Sequence, residues 1–171
     1  MKNTFIVSVV SVASAIGLMA PLAQAHDSSA VLNEIHHINQ KEIQLSNLAL
    51  EKSTSEDIKK FARHMIDQHT AADKKVQALA VTEGVKLAAF QLADFEKVGS
   101  DHLTSLTGGD FDRAFAGMMK GGHKEALFVL DSVKDETKDK ELIDLVQELR
   151  PTVKEHEKMA ANLTSKVKFE K

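Results

Sequence analysis

Apolar residues recur at intervals of three and four along most of the chain, and no segment alternates apolar with polar positions. This interval places apolar side chains on one face of an α-helix, whereas alternation is typical of a half-buried strand. The pattern therefore predicts an all-α fold. Four long helices are predicted over residues 28–52, 56–83, 110–133 and 141–167, with a short extra helix over 92–106 between the second and third.

The residues between the predicted helices indicate how the helices are connected. Residues 53–55 form a short turn in which Ser55 or Thr54 can cap the second helix, so the first two helices should be antiparallel neighbours. The second helix is predicted to stop at Gly84, and the connection to the third helix is long. One long connection among short ones is typical of a ferritin-like four-helix bundle rather than a simple up-down bundle.

Two features affect the last two helices. The charged stretch 134–140 is expected to be a loop between them. Pro151 lies inside the fourth long helix, where its ring and its missing amide hydrogen predict a kink or a break near residues 149–150. Angular positions after the proline therefore depend on whether the helix continues in register.

The first 25 residues differ from the rest of the chain. A positive residue near the start precedes an apolar stretch over 5–19, and residues 23–25 have the small-x-small form of a signal-peptidase site. Residues 1–25 are therefore predicted to be a cleaved signal peptide, leaving 26–171 as one domain that is periplasmic or secreted. No later segment is apolar enough to be predicted as a transmembrane helix.

Composition argues against several classes of function. The chain has no cysteine, so neither a disulfide nor a thiolate metal ligand is available. Its net charge is −3 with both signs interspersed, which argues against a nucleic-acid partner. Neither a Gly-x-Ser-x-Gly elbow nor a phosphate-binding loop occurs, and no nucleophile is paired with a base, so no enzyme class is assigned.

Four polar side chains lie on or near the apolar faces of the predicted helices. At about 100° per residue, Glu42 falls at the centre of the first apolar stripe and His69 about 40° from the centre of the second. His156 lies within about 20° of Leu149 on the fourth, and His123 is roughly 90° from the centre of the third, at its boundary. The other helical histidines are expected to face solvent: His36, His37, His64 and His102.

The inward Glu42 needs a partner, because a buried carboxylate costs several kcal/mol unless it is paired or coordinated. Two interpretations remain open. The inward histidines can hydrogen-bond Glu42 in a metal-free network, or they can join it as ligands of one divalent ion such as Zn, Fe, Cu or Mn. A di-iron centre fails on ligand count, because no Glu stands three residues before His69, His123 or His156.

The predicted cleavage site suggests a second, independent metal site. Cleavage after Ala25 would give His26 a free α-amine beside its imidazole, which together form a bidentate copper-binding element. Cleavage after Ala23 would instead make histidine the third residue of the mature chain. That pattern chelates Cu(II) through the amine, the amides and the imidazole.

Four strings of the sequence resemble a bacterial domain of unknown function called DUF4142: residues 41–50, 61–72, 110–123 and 151–160. The resemblance covers nearly the whole mature chain. It implies a fold of the ferritin-like superfamily and no particular activity. The recurrent polar positions of the family match Glu42, His69, His123 and His156 of this chain.

The chain departs from the family pattern in two places. Family members often have Asp-Asp-His where this chain has Gln68 before His69, and Lys-Asp-His where it has Gly121 and Gly122 before His123. The two glycines are expected to weaken the third helix by about 1–2 kcal/mol, because glycine costs about 1 kcal/mol relative to alanine. They also remove a carboxylate beside His123 and leave room for a close approach.

These patterns favour an exported ferritin-like bundle that binds one transition metal between its helices, with a role in metal handling or in protection against oxidative stress. The alternative is a metal-free structural or envelope-stress interaction module with a buried Glu–His network. The two interpretations differ in their response to metal, because only a protein that binds the ion in its folded state is stabilised by it.

Overall fold

Five helices make up the part of the chain that the structure describes. The computed structural model describes residues 21–167, except for the side chains of 21–27 and 134–136. The helices are α1 Pro21–Lys52, α2 Glu56–Thr82, α3 Asp94–Ser105, α4 Gly108–Glu136 and α5 Lys140–Lys166. No strand occurs within residues 21–167, which confirms the all-α prediction and the short extra helix. Residues 1–20 of the predicted signal peptide lie outside the described range, and that segment stays a prediction.

The ends of α2 follow the local sequence. The Ser55 hydroxyl accepts a hydrogen bond from the Ile58 amide at 3.4 Å, which satisfies one free amide of the first turn. After the helix, Gly84 has a φ of 68°, and the Val85 amide donates to the Ala80 carbonyl at 2.8 Å. This is a Schellman ending, which requires the left-handed conformation that glycine adopts at least cost.

Hydrogen bonds at the two ends of the bundle fix the direction of each helix. At one end, Ser28 in α1 donates to Asp139, just before α5, at 2.7 Å. At the other end, Ser53, just after α1, donates to Asp112 near the start of α4 at 2.5 Å. α1 is therefore antiparallel to both α2 and α4, and α2 runs parallel to α4. A connection between parallel helices must travel the length of the bundle, which confirms the predicted ferritin-like arrangement.

The connection between α2 and α4, which includes α3, runs along α1. Residue numbers rise together along the connection and along α1 in the hydrogen bonds that join them. These bonds pair Ala88 with Asn33, Glu96 with Lys41, and Thr104 with Lys52. α3 also packs against α4 and buries Leu103 completely. The connection therefore covers one side of the bundle instead of projecting from it.

Glu96 is the main polar anchor of this connection. Its carboxylate accepts hydrogen bonds from Lys41 Nζ at 2.7 Å, from His37 Nε2 at 2.9 Å and from the Ala93 amide at 2.9 Å. Burial by itself would raise the pKa of Glu96, but the three donors together lower that pKa to about 2. Glu96 is thus ionised at neutral pH and joins α3 to α1.

We expect Glu96→Gln to loosen this connection while the four long helices stay intact. The pKa of Glu96 is lower in the folded chain than in the unfolded one, so its contribution is complete above about pH 4.5 and is lost as the pH falls towards 2. Amide exchange should show several-fold lower protection factors over residues 86–105 in the variant at neutral pH. The wild type should approach those values only in acid.

The matched control for this variant is Asp94→Asn. Asp94 lies in the same helix and pairs with Lys97 at 3.0 Å, but its side chain is fully exposed. An exposed pair contributes about 0–1 kcal/mol, so the control should keep wild-type protection. Equal protection in Glu96→Gln and the wild type would show that apolar packing alone holds the connection.

Two apolar clusters fill the core, one in each half of the bundle. The upper cluster, near the α1–α2 turn, contains Leu45, Ala49, Ile58, Phe61, Ala62, Met65, Leu103, Phe111, Phe115, Ala116, Met119, Ala160 and Leu163. The lower cluster contains Val31, Leu32, Ile35, Val76, Ala80, Leu130, Val133, Leu142, Leu145, Val146 and Leu149. Between them lies a polar layer, to which all four long helices contribute buried side chains: Asn39, Glu42, His69, Asp73, His123 and His156.

The break predicted near residues 149–150 does not occur, because α5 is uninterrupted from Lys140 to Lys166. Pro151 itself is exposed. The carbonyl group that loses its helical donor belongs to Gln147, which is also exposed, so solvent can satisfy it. The helix therefore tolerates the proline, and His156 keeps the inward position that the apolar stripe predicts.

The loop predicted over residues 134–140 is also shorter than expected. α4 continues to Glu136, so only residues 137–139 separate it from α5. Asp139 caps α5 by accepting a hydrogen bond from the Leu142 amide at 3.2 Å. Charged residues such as Lys and Glu are good helix formers, and a charged stretch is thus compatible with an exposed last turn.

Candidate metal centre

Three buried histidines meet in the polar layer at the middle of the bundle. His69 lies on α2, His123 on α4 and His156 on α5, and their exposed fractions are 4%, 1% and 1%. One ring nitrogen of each lies within 4.8 Å of those of the other two. We refer to these residues as the histidine triad. Among the side chains that the structure describes, this is the group whose metal-ligating atoms converge in this way.

Two rings of the triad have their Nδ1 atoms engaged by hydrogen-bond acceptors. Nδ1 of His69 lies 2.9 Å from Oδ1 of Asn39, and Nδ1 of His123 lies 2.7 Å from the Met119 carbonyl oxygen. Both oxygens only accept, so each ring must donate its Nδ1 hydrogen. In a neutral imidazole this leaves Nε2 as a lone-pair atom. Each Nε2 of this pair is therefore available as a ligand.

The two Nε2 atoms face each other at a distance that fits a shared metal ion. They lie 3.4 Å apart. A bond from a metal such as zinc to imidazole is about 2.0–2.1 Å, so two ligands at a tetrahedral angle are about 3.4 Å apart. A metal-ligating histidine almost always donates its other ring hydrogen to a carbonyl or carboxylate oxygen, as both residues do here to carbonyl oxygens.

His156 completes the triad, and its hydrogen-bonding capacity is unused. Its ring centroid lies 5.2 Å from those of His69 and His123, and neither ring nitrogen has a hydrogen-bond partner among the described residues. Burial, together with the neighbouring histidines, lowers the pKa of His156 to about 2 and that of His69 to about 3. Both rings are therefore neutral at physiological pH, which is the form that binds a metal.

Glu42 lies beside the triad and is not part of the converging group. Its side chain is 2% exposed, and Oε2 has no hydrogen-bond partner within the described part of the chain. A Cβ atom built on Gly122 would lie 3.1 Å from Oε1, so the glycine makes room for the carboxylate against α4. Burial raises the pKa of Glu42.

A cavity of about 80 Å³ adjoins the triad and is lined by Glu42 as well as by the three rings. That volume holds an ion together with small ligands, because one water molecule needs about 10–15 Å³ on the same measure. Towards solvent, the cavity is bordered by Lys75 of α2 and Glu148 of α5, which form an ion pair at 2.6 Å. We call this side the α2–α5 mouth.

A comparison with protein families identifies the family of the chain. Residues 14–163 match the family model of DUF4142, described as a domain of unknown function. The chain belongs to the DUF4142 family. Four residues of this DUF4142 chain stand at the family's recurrent polar positions, and all four are buried. His69, His123 and His156 form the triad, and Glu42 lies beside it. No curated protein matches the sequence.

Solved structures share the fold of this DUF4142 chain. The crystal structure of a DUF305 fragment from Deinococcus radiodurans matches with a TM-score of 0.72 at 12% identity, over 81% of this chain and 95% of that one. CopM matches in its Cu(I)-bound form, with a TM-score of 0.67 at 19% identity, over the same shares. Its Ag-bound form matches with a TM-score of 0.66 at 18% identity, also over 81% and 95%. At these identities the likeness establishes the fold.

In this DUF4142 chain the structure brings His69, His123 and His156 together and places Glu42 beside them. It also shows two buried polar residues that sequence reasoning missed. Asn39 orients His69, and Asp73 accepts hydrogen bonds from Gln40 at 2.8 Å and Gln77 at 2.6 Å. Helical spacing could have found both, because Asn39 stands three residues before Glu42 and Asp73 four after His69. The side chain of His26 is outside the described part, so the N-terminal copper site stays a prediction.

Three histidines expected to face solvent are instead half-buried. His36 Nδ1 lies 2.7 Å from Asp73, and His37 pairs with Glu96. The ring of His64 lies 5.4 Å from that of His156. The burial of these histidines depends on partners that lie on neighbouring helices. The apolar pattern of a single helix carries no information about those partners. His102 is exposed, as predicted.

Proposed function

We propose that this DUF4142 protein binds one transition-metal ion through the histidine triad and that its role is metal handling. The observation that carries the proposal is the pair of Nε2 lone pairs that face each other at 3.4 Å inside the core. Unsatisfied buried polar groups are rare because each costs about 1–3 kcal/mol. A bound cation would satisfy both rings of this pair and His156 together.

Copper, held as Cu(I), is the ion that the site favours. The three ligands are imidazoles, which suit copper. In an apolar core the desolvation cost of an ion grows with the square of its charge, so a monovalent ion costs roughly a quarter of a divalent one. The single carboxylate of Glu42 beside the triad would balance one positive charge. Zinc bound by three histidines and an exogenous ligand is the runner-up, because the cavity has room for that ligand.

The similar structures support the same choice. CopM, which shares the fold, has been solved with Cu(I), with Ag and with Cu(II) bound. Fold similarity alone does not transfer a ligand, so the donor set of this chain and a direct measurement must decide. A site that holds Cu(I) away from oxygen and peroxide would also protect against oxidative stress.

We place this activity outside the cytoplasm, in the periplasm or in secreted form. This placement depends on the signal peptide predicted over residues 1–25. Within the described range, no helix is long and apolar enough to cross a membrane.

The test is metal analysis of the mature protein and two variants, purified from the exported fraction without an affinity tag. We expect about one copper per chain in the wild type, and a Cu(I) affinity at least ~100-fold lower in His69→Ala, because loss of a supporting group alone costs 10–100-fold. The matched control is His102→Ala, which removes an exposed histidine and should bind like the wild type.

Two outcomes would contradict the proposal. Full metal content in His69→Ala would place the ion elsewhere, with His26 the first residue to test. Absence of metal from all three proteins, together with no change in melting temperature on adding Cu(I) or Zn, would favour the metal-free interaction module. In that case Glu42→Leu should be tolerated, because it removes a buried charge without breaking a metal site.

A further inference from the structure

A second cavity lies on the opposite side of Glu42 from the triad. It has a volume of about 170 Å³ and lies between α1, α3 and α4, beneath the connection that covers this side of the bundle. At its outer edge are the exposed side chains of Phe95 and Glu125. We call it the outer cavity. Glu42 is the residue, among those described, that lines both this cavity and the one at the triad.

The Glu42 carboxylate has the properties of an intermediate cation-binding site between the two cavities. Oε2 is buried and accepts no hydrogen bond from any described residue, so it has an unused lone pair. Oε1 rests over the bare backbone of Gly122, where a Cβ would lie only 3.1 Å away. Any side chain at position 122 would crowd this carboxylate, which lines both cavities. A buried carboxylate without a donor is costly unless a cation reaches it.

The lining of the outer cavity suits a cation on its way inward. Glu125 adds a carboxylate, and Met118 places a thioether there, which is a soft ligand. Lys41 also borders the cavity, but its ammonium group is paired with Glu96 at 2.7 Å. Gly99 of α3 keeps the space open, because a Cβ there would already touch Met118 Cε at 3.7 Å.

The α2–α5 mouth offers the ion a less suitable path. The opening is spanned by the ion pair of Lys75 and Glu148, and among the described residues no thioether lines that cavity. No group at that mouth corresponds to the unpaired buried oxygen of Glu42 among the described side chains. The two sides of the triad therefore differ in chemistry.

We propose that the ion reaches the triad through the outer cavity and that Glu42 is a relay carboxylate, which binds the cation first and passes it to the imidazoles. The proposal rests on the proposed function of the triad. The ion keeps its oxidation state throughout, and only its ligands change. A relay lowers the barrier in both directions, so it affects the rates of loading and release more than the equilibrium affinity.

The experiment compares rates with affinity in wild type and Glu42→Gln. The mature protein is mixed with Cu(I) as its acetonitrile complex and quenched with excess bicinchoninate, whose colour measures unbound copper. Release is followed by adding bicinchoninate to loaded protein. We expect both rates to fall at least ten-fold in Glu42→Gln, with the stoichiometry still about one copper per chain. Gly99→Leu, which narrows the outer cavity without touching Glu42, should also slow both rates.

Lys75→Ala at the α2–α5 mouth is the control for the path and should leave both rates within two-fold. A faster release with unchanged loading in Glu42→Gln would overturn the proposal, because Glu42 would then stabilise the loaded site without helping the ion to enter or leave. Slower loading in Lys75→Ala than in Glu42→Gln would place the path on the other side. If the wild type binds neither copper nor zinc at equilibrium, the proposed function fails and the relay fails with it. If the wild type binds copper, the two rates test the relay alone.

Discussion

Replacing His156 by leucine is expected to make the metal-free protein more stable and the metal-loaded protein less stable. The buried ring makes no hydrogen bond with any described residue, and such a group costs about 1–3 kcal/mol. Leucine has a similar size and would continue the apolar stripe of α5 between Leu149 and Ala160, both of which are buried. We therefore expect the free energy of unfolding of the metal-free protein to rise by about 1–2 kcal/mol.

The loaded protein should respond in the opposite direction. An ion at a free concentration 1,000 times its Kd stabilises the folded state by about 4 kcal/mol, and His156→Leu should lose most of this gain. Urea unfolding with a chelator, and then with buffered Cu(I), measures both effects on one sample. His102→Leu is the control and should shift neither curve, because the ring it removes is exposed. A destabilised metal-free variant would show that His156 serves the core rather than an ion.

Phe115→Ala is expected to be the most destabilising substitution, lowering the free energy of unfolding by about 3–5 kcal/mol. The Phe115 ring is fully buried in the upper cluster, stacked on Phe111 with centroids 6.0 Å apart and edge-on to Phe61 at 6.2 Å. Truncation loses this apolar burial and leaves a cavity. The chain has no cysteine, so no disulfide can compensate.

The control is Phe128→Ala on the same helix. Phe128 is 76% exposed, and its removal should change stability by less than about 0.5 kcal/mol. Urea unfolding at low temperature gives both values. Copper stoichiometry should stay at about one per chain in folded Phe115→Ala, because the triad lies outside the upper cluster. Loss of copper at temperatures where the variant is still folded would show that upper-cluster packing sets the geometry of the triad.

Predictions from the sequence succeeded where a single helix contains the necessary information. The inward positions of Glu42, His69 and His156 follow from the angle of each residue around its own axis, and all three are buried. The short turn at residues 53–55 and the glycine after α2 likewise depend only on neighbouring residues. Of the kink or break predicted near Pro151, the break does not occur, because the cost of a proline depends on whether its lost carbonyl partner faces solvent, which a local rule does not include; the kink stays a prediction.

Burial of His123 shows the limit of the same reasoning. Helical spacing places it at a boundary, yet it is 1% exposed, because α4 is covered on that side by its neighbours. His36 and His37 are similar, since their partners Asp73 and Glu96 belong to other helices. The exposure of a residue at the edge of an apolar stripe depends on which neighbouring helices pack against that edge.

The sequence by itself determined the helices, their apolar faces and which polar side chains point inward, because a period of 3.6 residues specifies an angle around one axis. It does not specify the height along the bundle axis at which side chains of different helices meet. The tertiary structure decided that height: packing of the upper and lower clusters sets the register of the helices and brings the rings of His69 and His123 level. It also placed Glu42 against Gly122 and beside the triad, at the boundary of two cavities, because that contact depends on how closely α1 approaches α4.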